Sequence, residues 1–85
     1  MDISRDEQRI LHLMAQGGRI EIIRSNGKTI GEAKCFTRDG WLYPDFGLEL
    51  FRKLKRKKAI SSSGGKPYRI TQRGLVLVRA QLNNR

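Results

Sequence analysis

Six of the seven residues in Arg52-Lys53-Leu54-Lys55-Arg56-Lys57-Lys58 are cationic, and only Leu54 interrupts the run. Guanidinium and ammonium groups at this density can neutralise phosphates and release their counterions, or meet carboxylates on an acidic protein surface. Cations near a helix C-terminus also complement the helix dipole, each contributing about 0.3 to 1 kcal/mol. That accounts for Lys57 and Lys58, but it does not require Arg52 and Lys53, nor the repulsion between Arg52 and Arg56 one turn apart. The run therefore reads as a surface for nucleic acid or an acidic partner, carried by Arg52, Lys53, Lys55, Arg56 and Lys57, with Lys66 and Arg69 extending it. The rings of Trp41, Tyr43 and Tyr68 are able to stack on bases, although rings beside strands more often pack in or around a core.

Candidates for catalysis are few. His12 is the single histidine and falls at or beside the solvated face of a helix; Cys35 is the single cysteine and falls on the inward face of a strand, where it behaves as a small hydrophobe. The four Asp and four Glu are scattered and mostly explained as caps, turns or strand partners. Gly27-Lys28-Thr29 ends like a phosphate-binding loop, but the earlier glycine such a loop needs would fall on Ile22, inside a strand. Gly65-Lys66-Pro67 lacks both that glycine and the hydroxyl after the lysine. A binding protein is expected, with no enzymatic activity, metal or cofactor; a ribonuclease built on one histidine has little to support it.

Lys and Arg total 18 against 8 Asp and Glu, giving +10, and the excess is one-sided. Residues 1–45 hold 7 basic and 7 acidic side chains, whereas residues 46–85 hold 11 basic ones and the single acid Glu49. With 85 residues the chain is expected to form one domain over residues 1–85. A lone cysteine permits no internal disulfide, and the amino terminus lacks the apolar stretch of a secretion signal. A cytoplasmic protein without a membrane span is the expectation.

The elements that must position these residues follow from spacing. Ser4-Arg5-Asp6-Glu7 is a capping box opening a helix over about Arg5 to Gln16, with Ile10, Leu13, Met14 and Gly17 on one face, Leu11 flanking, and Gly17-Gly18 as its stop. Arg19 to Arg24 alternates as a strand, and Asn26-Gly27 predicts a two-residue hairpin turn. That turn sets Ser25 opposite Lys28, Glu21 opposite Glu32, Ile20 opposite Ala33 and Ile22 opposite Gly31, with Cys35 on the same inward face. Asp39-Gly40 turns the chain into Trp41-Leu42-Tyr43. Asp45 is expected to cap a second helix ending near Lys57 or Lys58, whose apolar face is Leu48, Leu50, Phe51 and Leu54. Two short strands, in Ala59 to Ser63 and Lys66 to Ile70, flank a Gly64-Gly65 tip. Thr71 then caps a last helix lined by Leu75, Val78 and Leu82, with Asn83-Asn84-Arg85 fraying at its end.

The order helix, hairpin, basic helix, hairpin, helix, together with Tyr-Arg-Ile-Thr-x-x-Gly at Tyr68 to Gly74, resembles winged-helix proteins and predicts an α+β, winged-helix-like fold. The chain also resembles the YjhX toxin family. The matching segments are Ser4-Arg5, Glu7-Gln8-Arg9, Leu11-His12, Gly17-Gly18-Arg19-Ile20, Phe51, Lys53-Leu54-Lys55, Lys57-Lys58, Pro67-Tyr68-Arg69-Ile70, Gly74-Leu75, Val78-Arg79-Ala80-Gln81 and Asn84-Arg85. That resemblance implies a bacterial toxin that binds and inhibits DNA topoisomerase I, with an acetyltransferase-like protein as its antitoxin. It assigns no contact residues, so those named above rest on charge alone. The position of Gly31 and the segment from Trp41 to Asp45 depart from the family pattern. A winged-helix DNA-binding regulator using the basic helix is the alternative.

Overall fold

A computed structural model describes residues 3–27 and 29–83, with side chains through residue 79. Its elements are α1 (Arg5–Ala15), β1 (Arg19–Ser25), β2 (Thr29–Phe36), β3 (Leu42–Tyr43), α2 (Leu48–Arg56), β4 (Ile60–Ser61), β5 (Arg69–Ile70) and α3 (Gln72–Asn83). The capping box forms in both directions: Ser4 N donates to Glu7 Oε1 at 2.9 Å and Glu7 N donates to Ser4 Oγ at 3.1 Å. α1 ends one residue earlier than expected, with Gln16 as its cap, and its buried stripe is Ile10, Leu11 and Met14. Leu13, expected on that stripe, is only half-buried.

β1, β2 and β3 form one antiparallel sheet in that order, and β4 and β5 form the wing. The two are joined where Ile20 and Tyr68 exchange backbone hydrogen bonds of 3.0 and 2.8 Å. The β1–β2 register differs from the expected one. Ser25 pairs with Thr29, so the connection is one residue longer than a two-residue turn, and Lys28 lies outside the described residues. Beyond it the pairing jumps from Arg24↔Ile30 to Ile23↔Glu32, leaving Gly31 as a bulge. The two slips sum to two residues, so from Ile23 back to Arg19 and from Glu32 onward the side chains keep their expected faces, whereas Thr29 and Ile30, between the slips, change face and Ile30 packs against the core. The slips replace the like-charged Glu21–Glu32 pair with Glu21↔Lys34 and set Ile20 against Cys35 and Ile22 against Ala33.

α2 starts later than a cap at Asp45 would give. Phe46 packs against the core, and Gly47 stays extended (φ −151, ψ −176) as an N-cap without a side-chain hydrogen bond. The strands of the wing are shorter than expected, two residues each, and its tip bends through Gly64 and Gly65 at φ 60 and 79. Thr71 caps α3 as expected, its Oγ1 accepting from Gly74 N at 3.0 Å. The buried face of α3 includes Leu77 and Val78, with Leu75 only half-buried. The side chain of Leu82 and the residues Asn84 and Arg85 lie outside the described residues. Phe51 of α2 meets Tyr68 edge-on, ring centroids 5.0 Å apart, at the centre of a core shared with Ile10, Leu11, Ile20 and Leu54. Three helices interleaved with two hairpins around this core make the fold α+β and winged-helix-like.

Candidate anion-binding surface

The candidate cations divide by what lies within their reach. α2 buries Phe51 and Leu54 and leaves Arg52, Lys53, Lys55 and Arg56 exposed. Arg52, Lys55 and Arg56 stand at i, i+3 and i+4, neighbours on one helix face, and among the described residues none of the three has an ion-pair partner. Lys53 Nζ lies 3.6 Å from Glu49 Oε1 one turn back, but both side chains are exposed and solvent screens the pair.

Lys57 belongs to the scaffold. Its Nζ donates to Glu7 Oε1 at 2.9 Å and stands 2.8 Å from Oε2, an ion contact without a hydrogen bond. Glu7 is 2% exposed. Burial pushes its carboxyl up, but the Lys57 ammonium and hydrogen bonds from Ser4 outweigh this and hold it below its ordinary value. One carboxylate thereby caps α1 and anchors the far end of α2.

The end of α2 is also gripped by the start of α3. Arg73 Nε donates to Lys57 O at 2.8 Å, Thr71 Oγ1 to Lys58 O at 2.7 Å, and Thr71 N to Ala59 O at 2.9 Å. These are the carbonyls of the C-cap Lys57 and the two residues after it, where the chain leaves the hydrogen-bond ladder of α2. A Cβ at Gly74 would overlap the Ala59 carbonyl oxygen, so the glycine of Tyr-Arg-Ile-Thr-x-x-Gly is what lets α3 approach so closely.

Arg69 is engaged in a similar way, its Nη1 donating to Gly17 O and Gly18 O at 3.2 and 3.3 Å, which ties the wing to the turn after α1. Lys66 is exposed beside the wing tip, where its N–H closes the turn on Ser63 O at 3.1 Å. The structure thus gathers Arg52, Lys53, Lys55 and Arg56 on the outer side of α2, sets Lys66 on the wing, and draws Lys57 and Arg69 into internal contacts. Sequence reasoning missed the Glu7–Lys57 pair and the role of Arg73. Glu7 was already accounted for as a cap, and nothing local reports a partner 50 residues away.

Of the three rings, Tyr68 is buried and Tyr43 half-buried, whereas Trp41 is 74% exposed, unlike a core or rim residue. His12 is exposed and lies 3.4 Å from Gln16 Nε2. Cys35 is fully buried, which pushes its thiol up to about 11 and keeps it protonated at neutral pH. Among the described residues no group of three or more His, Cys, Asp and Glu is placed to hold a metal ion, and no helix is long and apolar enough to cross a membrane.

The profile of the YjhX toxin family, described as "Putative toxin of bacterial toxin-antitoxin pair", matches residues 1–85. UPF0386 proteins of Rhizobium rhizogenes, Rhizobium meliloti and Agrobacterium fabrum are 79%, 75% and 64% identical to the chain, each over the full length of both proteins. No solved structure matches. A profile that covers every position, with full-length relatives at these identities, places the chain in the YjhX toxin family.

Proposed function

We propose that this protein is a cytoplasmic toxin that inhibits bacterial DNA topoisomerase I by direct binding, with an acetyltransferase-like antitoxin as its natural counterpart. The outer face of α2 is the contact surface. The observation that carries this reading is the face itself: in this member of a toxin family, Arg52, Lys55 and Arg56 have no ion-pair partner among the described residues, whereas Lys57 and Arg69 are engaged by groups of the chain itself. Such a face suits either an acidic region of the enzyme or the path its DNA follows.

A relaxation assay on negatively supercoiled plasmid, run at several concentrations of competitor DNA, tests it. Inhibition that survives competitor and disappears in the variant Arg52→Ala/Lys55→Ala/Arg56→Ala is the expected result. Normal relaxation at excess protein, with no complex on pull-down, ends the reading. A DNA-binding regulator is the second reading, favoured by the placement of a basic helix directly before the wing. It predicts a salt-sensitive shift of duplex DNA, and inhibition that competitor DNA abolishes.

A further inference from the structure

At about 100° per residue, Arg9, His12 and Gln16 lie on the side of α1 opposite Glu7, turned away from the contact with Lys57. Between that side and the Thr37–Trp41 turn runs a groove of about 570 Å³. Leu13 and Tyr43 line it with apolar surface, Arg9 and Arg38 with cations, and Asp39 is the one acid among the described residues that line it. No residue of α2 contributes to it.

Trp41 stands at the end of that turn with most of its ring in solvent. Three hydrogen bonds close the turn holding it: Thr37 N donates to Trp41 O at 2.8 Å, Gly40 N to Thr37 O at 2.9 Å, and Trp41 N to Thr37 Oγ1 at 3.0 Å. Arg38 is held as well, because its stem lies along Gly17, where a Cβ would come within 3.1 Å of Arg38 Cγ and Cδ. A large apolar ring on a fixed backbone loses little entropy when it is covered. Trp, Tyr and Arg are the residue types that most often dominate interface energetics; Tyr43, Arg9 and Arg38 line this concavity, and Trp41 adjoins it on the turn that carries Arg38 and Asp39.

The charge selects the occupant. Arg9 and Arg38 outnumber Asp39 along the groove, which favours an acidic ligand. The apolar lining and the carboxylate of Asp39 are ill suited to a phosphodiester backbone, whose contacts are dominated by cations and polar donors. We propose that this groove docks an acidic peptide segment of a protein partner, inserting an aliphatic or aromatic side chain between Leu13 and Tyr43, setting carboxylates against Arg9 and Arg38, and covering Trp41. This second surface is independent of the cationic face of α2.

Trp41 is the single tryptophan of the chain, so its emission reports occupancy directly. The probe is a short synthetic peptide of Asp and Glu around one Leu-Phe pair, compared with the same peptide carrying Lys in place of its acids and with a duplex oligonucleotide. The acidic peptide is expected to give a saturable blue shift that Arg9→Glu/Arg38→Glu removes and Arg52→Ala/Lys55→Ala/Arg56→Ala leaves intact. With the peptide carrying the label, Trp41→Ala is expected to weaken binding by about 30-fold. Circular dichroism of each variant is expected to match the parent, since all the substituted side chains are exposed. The proposal is overturned if the acidic peptide produces no shift up to about 1 mM, if the Arg9/Arg38 variant responds like the parent, or if the oligonucleotide shifts the emission while the peptide does not.

Discussion

Lys57 and Arg56 are adjacent in sequence and alike in charge, yet they belong to two different regions of the molecule. Lys57 lies where α1, α2 and α3 converge, 24% exposed, with its ammonium on a buried carboxylate and its carbonyl held by Arg73. Arg56 lies one residue earlier on the outer side of α2, exposed to solvent. The difference teaches that a basic run cannot be assigned one purpose: each cation takes the role of the nearest unsatisfied group. At the convergence those groups are the buried Glu7 carboxylate and the carbonyls of Lys57, Lys58 and Ala59 just past α2, whereas the outer side of the helix offers the solvent-exposed Glu49, which Lys53 meets at 3.6 Å.

Breaking the internal region has the largest expected effect. Lys57→Ala leaves Glu7 buried without its counter-ion, and equilibrium denaturation should show a loss of about 3 kcal/mol, the low end for one-sided removal of a buried pair because Lys57 keeps some contact with water. Pairing it with Glu7→Gln should restore much of that loss by removing the orphaned charge. The same pair fixes a pH dependence. Because the folded state holds Glu7 below its ordinary value, its contribution is complete above the unfolded value of about 4.3 and is lost as pH falls through the lower folded value. Denaturation midpoints should therefore drop on acidification below pH about 4, and Glu7→Gln should flatten that part of the curve.

Two glycine exchanges sharpen the comparison on a smaller scale. Gly74→Ala drives a methyl into the Ala59 carbonyl and should lower stability by about 2 kcal/mol, read from the midpoint of denaturation. Lys58→Gly acts in the other direction. α1 and α2 end in the same hydrogen-bond pattern, Gly18 N to Leu13 O and Gly17 N to Met14 O in the first, Ala59 N to Leu54 O and Lys58 N to Lys55 O in the second. The left-handed residue is Gly17 in α1 but Lys58 in α2, at φ 58, held there by the Thr71 hydroxyl on its carbonyl. Glycine at that position relieves the Cβ crowding and should raise stability by about 0.5 to 1 kcal/mol, as a rise in thermal midpoint.

The order of elements was legible because its signals are local. The Ser4–Glu7 box, the Gly17-Gly18 stop, the Thr71 cap and the spacing of Phe51 and Leu54 each act within a turn or two of chain. The hairpin register was not legible from its turn, because Asn26-Gly27 announces a short connection but not a three-residue one followed by a bulge at Gly31. Asp45 misled because its capping chemistry is real, while the burial of Phe46 delays the helix past it. At the site, the basic run identified α2, but the withdrawal of Lys57 and Arg69 depends on contacts across about fifty residues, which no local pattern encodes. The exposure of Trp41 has the same origin: whether a ring finds the core is decided by packing, not by its neighbours in sequence.

The smallest expected stability effect belongs to the outer face. Arg52→Ala/Lys55→Ala/Arg56→Ala removes three side chains without ion-pair partners among the described residues, so no buried group is orphaned by the change. Relief of the Arg52–Arg56 repulsion offsets the loss of cations near the helix C-terminus, and the net change should stay within about 0.5 kcal/mol. Binding should respond very differently. If all three meet phosphates, the slope of log affinity for duplex DNA against log salt should fall by about 0.9 per cation removed. If they meet the enzyme instead, that slope should barely move while inhibition of relaxation is lost. A variant as stable as its parent that kept both properties would return these cations to the status of a solvated surface, and the contrast with Lys57 would then concern stability alone.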